Sequence, residues 1–104
     1  MSATQALRYN EWKPQWSLVD FISLEPMVRG LEYGAKKYTP ENWKKWFPRE
    51  KLLESMMRHM IALMDWEEID EESWIPHIWL VQCNAMFYAY HSKHNSFIKN
   101  DTTE

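Results

Sequence analysis

The sequence predicts an all-α protein: three main helices plus a short turn of helix, assembling into an oligomeric helical bundle. Three observations lead there. Apolar residues recur at helical spacing in three separate stretches. No alternating β-branched run and no hairpin turn reads as a strand. Seven tryptophans and seven methionines among 104 residues are more apolar surface than a small monomer hides, so the core is expected to be shared between subunits. The length fits a single domain. Its expected organisation is an extended N-terminal arm (1–17), one helical domain (18–97) and a frayed polar tail (98–104).

The arm lacks periodicity and carries Pro14; Trp12 and Trp16 are its candidate anchors, on the body or on a neighbouring subunit. Ser23 is the expected N-cap of the first helix, with Pro26 tolerated in its first turn. Leu24, Met27, Val28, Leu31, Ala35 and Tyr38 supply its apolar repeat. Gly30 and Gly34, one turn apart, would let a partner helix approach closely. Thr39–Pro40 caps a short turn holding Asn42, Trp43 and Trp46. Pro48 opens the second helix, whose expected buried stripe is Leu53, Met56, Met57, Met60, Ile61 and Met64. Leu52, His59 and Leu63 fall on its flank, and Arg58 lies nearer the opposite side. Pro76 opens the third helix. There His77, Val81, Asn84, Tyr88 and His91 share one face, with Leu80 beside them. Polar residues along such a line either satisfy one another in a seam or line a pocket.

Several classes are excluded by composition. A net charge of −3 gives no general attraction to nucleic acid or anionic lipid. The pairs Lys36–Lys37 and Lys44–Lys45 are too small for a nucleic-acid footprint. The single cysteine, Cys83, excludes an internal disulfide and sits in an apolar helix as packing. Charges interrupt every apolar segment, so neither a signal peptide nor a membrane span is expected, which points to the cytoplasm.

The chemistry concentrates between Arg58 and Asn84. Asp65, Glu67, Glu68, Asp70, Glu71 and Glu72 crowd into eight residues between two apolar helices. Such a run is also what a solvated helix connection looks like. His59 precedes it and His77 follows it, each on a hydrophobic helix where an unpaired ring is costly. A tight antiparallel hairpin would bring the two rings together beside the carboxylates of Glu67 and Asp70. That is the composition of a divalent-metal site. A metal there would polarise a phosphoryl oxygen, Lys36, Lys37 and Arg58 would neutralise phosphate charge, and Trp43 could stack a base.

The stretches SLVDFISLEPMVRGLEYGAKKY (17–38), NWKKW (42–46), RHM (58–60), EEIDEES (67–73), PHI (76–78) and CNAMF (83–87) occur in an order that resembles the phage-associated dATP/dGTP diphosphohydrolase N-terminal family, relatives of the all-α MazG-like nucleotide pyrophosphatases. The resemblance implies an oligomeric enzyme that uses Mg²⁺ or Mn²⁺ to hydrolyse a deoxynucleoside triphosphate to monophosphate and pyrophosphate. Lys36, Lys37, Tyr38, Asn42 and Trp43 match its substrate-side motif. Arg58, His59, Glu67, Asp70, Glu72, Ser73, His77 and Asn84 match its polar centre.

On that basis Glu67, Asp70, Arg58 and Lys36 are the candidate catalytic residues. Lys37, Tyr38, Asn42, Trp43 and Asn84 are candidates for substrate binding, and His59, Glu67, Asp70 and His77 for metal. A phage-encoded chain would act in the cytoplasm of the infected bacterium. The chain departs from the family pattern at Trp66 and Trp74, where glycine is expected, and at Leu80, where a histidine is expected. Leucine offers no ligand, and the two tryptophans are expected to fill space beside the pocket. The alternative expectation is therefore a catalytically degenerate protein on the same scaffold, binding a nucleotide or a host protein through Trp66, Trp74 and Trp79.

Overall fold

A computed structural model describes residues 4–98. Its main elements are three α-helices: α1 (Glu25–Lys37), α2 (Arg49–Met64) and α3 (His77–Lys93). Single 3-10 turns form at Trp16–Leu18, Phe21–Leu24 and Asn42–Lys44. The all-α class is as expected, with one addition. Two-residue strands β1 (Phe47–Pro48) and β2 (Phe97–Ile98) pair in parallel, Phe47 opposite Phe97. Two residues are too few to generate a period-2 pattern, so the sequence carried no sign of them.

Helix α3 is the central element and packs on both α1 and α2. Prolines precede α2 and α3: each helix starts one residue after Pro48 or Pro76. Ser23 does not cap α1, contrary to expectation. Its hydroxyl donates to Asp20 at 2.6 Å, and α1 has no side-chain cap of its own. The orphan amide of Met27 instead donates to Gln82 Oε1 of α3 at 2.9 Å, while Gln82 Nε2 donates to the Ser23 carbonyl at 3.0 Å. A tertiary contact thus satisfies the helix end, which no local capping pattern reveals.

At Gly30, α1 comes close to α3. A Cβ there would sit 2.6 Å from Cys83 Sγ and 3.1 Å from the Trp79 carbonyl oxygen. Cys83 is buried, bonds the Met27 carbonyl, and burial pushes its thiol up to about 11. Gly34 is different: a Cβ there meets nothing within 4 Å.

Within this single chain the expected stripe of α2 is covered only in part, at half-buried Leu53 and Met56. Met57, Met60, Ile61 and Met64 are exposed. The line facing α3 runs through Leu52, Met56, His59 and Leu63, with Leu52 fully buried. The helix is apolar on two faces, and periodicity does not say which one a neighbour covers. Trp12 and Trp16 are also exposed, so neither anchors the arm on its own chain.

His91 is 0% exposed. Its Nε2 donates to the Trp43 carbonyl at 2.7 Å, and Nδ1 lies 2.6 Å from Ser96 Oγ. The carbonyl only accepts, so Nε2 carries a hydrogen. One buried ring therefore fastens the 42–44 turn and the approach to β2 onto α3. No helix among the described residues is long and apolar enough to cross a membrane.

Candidate metal and nucleotide site

The site is built where α2 ends, the acidic loop turns back, and α3 begins. Two hydrogen bonds close α2: Glu67 N to the Ala62 carbonyl (2.9 Å) and Trp66 N to the Leu63 carbonyl (3.0 Å). This is the Schellman pattern, with Trp66 at the left-handed position (φ 64°) that glycine usually fills. The loop then folds on itself. Asp70 N donates to the Ile75 carbonyl, Trp74 N to the Asp70 carbonyl and His77 N to the Glu68 carbonyl, each at 2.8 Å. Trp74 has φ 62°. Both positions where the sequence was expected to carry glycine are therefore backbone sites that glycine suits, which explains the expectation. The side chains of Trp66 and Trp74 are 86% and 79% exposed and line neither cavity described below. The expectation that they fill the pocket is corrected: both side chains stand in solvent.

This loop carries the carboxylates to the imidazoles. His59 Nδ1 and His77 Nδ1 are 2.8 Å apart, and His77 is 3% exposed. Glu67 Oε2 lies 3.1 Å from the other nitrogen of His77, Nε2. Candidate ligand atoms of His59, Asp70 and His77 all fall within 4.8 Å of one another. Asp70 Oδ2 is fixed by the Ser73 hydroxyl (2.7 Å) and amide (3.0 Å), and the hydroxyl bond above all holds its carboxyl below its ordinary value. Desolvation, then the neighbouring His77, pushes His59 below its ordinary value, so the ring favours the neutral form that a metal requires.

Two cavities meet here. A polar one of about 390 Å³ is lined by Arg58, His59, Glu67, Asp70, Glu72, Ser73 and His77. An apolar one of about 420 Å³ is walled by Leu31, Gly34, Tyr38, Trp43, Phe47 and Phe87, with Thr39, Asn42 and Asn84 as polar groups. Tyr33, Lys37 and Leu80 line both. Trp43 stacks on Phe87 with ring centroids 5.0 Å apart. Asn84 donates to Ser55 Oγ at 3.4 Å and Arg49 to Tyr88 at 3.3 Å. The polar line on α3 thus forms a seam with α2 and also reaches a pocket.

Most of the residues singled out from the sequence converge. Lys37, Arg58, His59, Glu67, Asp70 and His77 line the polar cavity; Tyr38, Asn42, Trp43 and Asn84 line the apolar one. Lys36 lines neither and is exposed. Tyr33, Gly34 and Phe87 were missed. Tyr33 stands one turn before Lys37, so helical spacing alone places it on the same face.

A family model described as dATP/dGTP diphosphohydrolase, N-terminal, matches residues 3–101. The chain belongs to this family. No curated protein and no solved structure matches it. The dATP/dGTP diphosphohydrolase N-terminal match spans α1, the acidic loop and α3 alike, so both cavities lie inside the region that defines the family.

Proposed function

We propose that the chain is a metal-dependent diphosphohydrolase that releases pyrophosphate from dGTP- or dATP-type substrates. The observation that carries this is the junction at Lys37. An aromatic cavity of base-binding size opens beside a polar cavity holding two imidazoles and a fixed carboxylate, and Lys37 borders both. The base lies against Trp43 and Tyr38, with Asn42 and Asn84 supplying hydrogen bonds. The phosphates cross Lys37 and reach Arg58, which balance their charge. Two imidazoles and a carboxylate fit a divalent cation, held by His59, Asp70 and His77. When bound, that ion supplies Lewis-acid polarisation of phosphoryl oxygen and acidifies a water. Ser73 keeps Asp70 charged and aimed inward, and Glu67 orients His77 through Nε2, the role of an outer-sphere carboxylate.

The working unit in this reading is a homo-oligomer. Among the described residues only Leu52, Ile75 and Cys83 form a fully buried apolar core, while Met57, Met60, Ile61 and Met64 make a continuous exposed stripe on α2. Lone surface apolar residues need no explanation, but such a stripe does, and a second copy covers it.

The direct test measures pyrophosphate release from dGTP and dATP with Mn²⁺, for the wild type and for Asp70→Ala. Turnover in the wild type, lost in the variant, is expected. Wild-type turnover no higher than the variant's rejects the reaction.

One observation favours a second reading, binding without turnover. In the acidic loop two large aromatic side chains stand exposed on left-handed backbone, each position costing about 1 kcal/mol, and Leu80 contributes no donor to the cavity it lines. A partner protein docked on Trp66 and Trp74 would account for keeping them. Capture of such a partner that survives chelation but not Trp74→Ala would favour this reading.

A further inference from the structure

We propose that the His59–Asp70–His77 cluster selects nitrogen-accepting transition ions such as Mn²⁺ and Co²⁺ over Mg²⁺. This rests on the metal-dependent reading above and names the class of ion for that same site.

Two of the three candidate ligands are imidazole nitrogens. Mg²⁺ takes oxygen ligands in tight octahedral geometry and retains its waters. Imidazole suits iron and the later first-row ions best, and two histidines with one carboxylate form a set typical of such metals; Mn²⁺, which also takes oxygen ligands readily, stands between them and Mg²⁺. The spacing agrees. In the structure His59 Nδ1 and His77 Nδ1 form a hydrogen bond 2.8 Å long; metal–imidazole bonds of about 2.1 Å would place two neighbouring nitrogens about 3 Å apart, so a cation could replace the shared hydrogen with little movement of either ring. With Asp70, they would offer a cation two nitrogens and one oxygen.

The surroundings choose the nitrogen. His77 is buried, and its Nε2 lies 3.1 Å from Glu67 Oε2. Donation of the Nε2 hydrogen to that carboxylate leaves the Nδ1 lone pair directed at His59. A carboxylate behind a liganding imidazole is the usual device for fixing the tautomer and raising ligand basicity. Glu67 is accordingly a positioning residue. Asp70, with Oδ2 engaged by Ser73, adds a single hard donor. All three side chains line the polar cavity, into which phosphate oxygens would come.

The test measures binding, independently of catalysis. The full chain is titrated calorimetrically with Mg²⁺, Mn²⁺ and Co²⁺, and the Mn²⁺-loaded wild type is examined by pulsed electron paramagnetic resonance for ¹⁴N coupling. The expected result is binding in the order Mg²⁺, Mn²⁺, Co²⁺ from weakest to tightest, with coupling to imidazole nitrogen. His59→Gln should weaken Co²⁺ binding while narrowing the gap to Mg²⁺, and Glu67→Ala should cost on the order of tenfold to a hundredfold in affinity. His59 is only half-buried, so its variant is a fair test where His77 variants risk the fold. Equal Mg²⁺ and Mn²⁺ affinities, or Mn²⁺ bound without nitrogen coupling, would overturn the selectivity and leave metal dependence standing. No binding of any ion would overturn both.

Discussion

Two glycines one turn apart on α1 should respond oppositely to the same substitution. In Gly30→Ala the new Cβ arrives 2.6 Å from Cys83 Sγ and 3.1 Å from the Trp79 carbonyl oxygen, against an ordinary contact of 3.4–4 Å. The carbonyl belongs to the backbone of α3, and the thiol is held by the Met27 carbonyl, so α1 and α3 must separate. Overpacking of this kind costs about 1–3 kcal/mol. Replacing a mid-helix glycine returns about 0.5–1 kcal/mol, leaving a net loss of roughly 1–2 kcal/mol. At about 4–8 °C per kcal/mol for a domain of this size, the melting temperature should fall by roughly 5–15 °C. Gly34→Ala meets no atom within 4 Å, so the helix gain stands alone and stability should rise by about 0.5–1 kcal/mol. Its methyl group intrudes on the apolar cavity, and nucleotide affinity should fall. Urea denaturation of both variants, and of Gly30→Ala combined with Cys83→Ala, reads these signs. The double variant should recover part of the loss, a coupling of about 0.5–1 kcal/mol. Gly30→Ala as stable as wild type, or no coupling to position 83, would refute the close approach of α1 to α3.

Trp74→Gly should raise the melting temperature by a few degrees, because glycine relieves a left-handed φ that costs about 1 kcal/mol; calorimetry reads it, and a lower melting temperature would show that Trp74 contributes packing. Cys83, with its thiol pushed up to about 11 by burial, should resist iodoacetamide at pH 8 in the native chain and label readily in denaturant, as followed by mass spectrometry. His59 has a folded value below its ordinary 6.5, so the fold favours the neutral ring. The stability this contributes is present above pH about 6.5 and is lost as pH falls through the depressed folded value; melting temperatures in metal-free buffer should decline over that window and decline less in His59→Gln. Asp70 is also depressed, through Ser73, and its contribution is lost at lower pH, as the carboxyl falls from its ordinary 3.8 through the folded value; Ser73→Ala should shrink that acid limb.

Helical periodicity located α1, α2 and α3, and the prolines at 48 and 76 marked two of their starts to within one residue. The convergence of His59, His77 and Asp70 was also legible, because it needs only two helices and a short turn. What escaped the sequence was what neighbours decide. The stripe of Met57, Met60, Ile61 and Met64 is as apolar as the line through Leu52, Met56 and Leu63, and only the position of α3 distinguishes them. Gln82 caps a helix that lies 55 residues earlier, and His91 reaches back 48 residues to Trp43, distances at which no local pattern operates. Trp66 and Trp74 stand where glycine was expected, but the left-handed backbone they adopt and their exposure show only in the fold.

One continuous nucleotide site is the central proposal. A crystal soaked with Mn²⁺ and a non-hydrolysable dGTP analogue tests it most directly. The expected result is an anomalous peak bounded by His59, Asp70 and His77, the base against Trp43, and the phosphates passing Lys37. A nucleotide bound elsewhere, or an ion held only by exposed loop acids with both imidazoles unengaged, would contradict it.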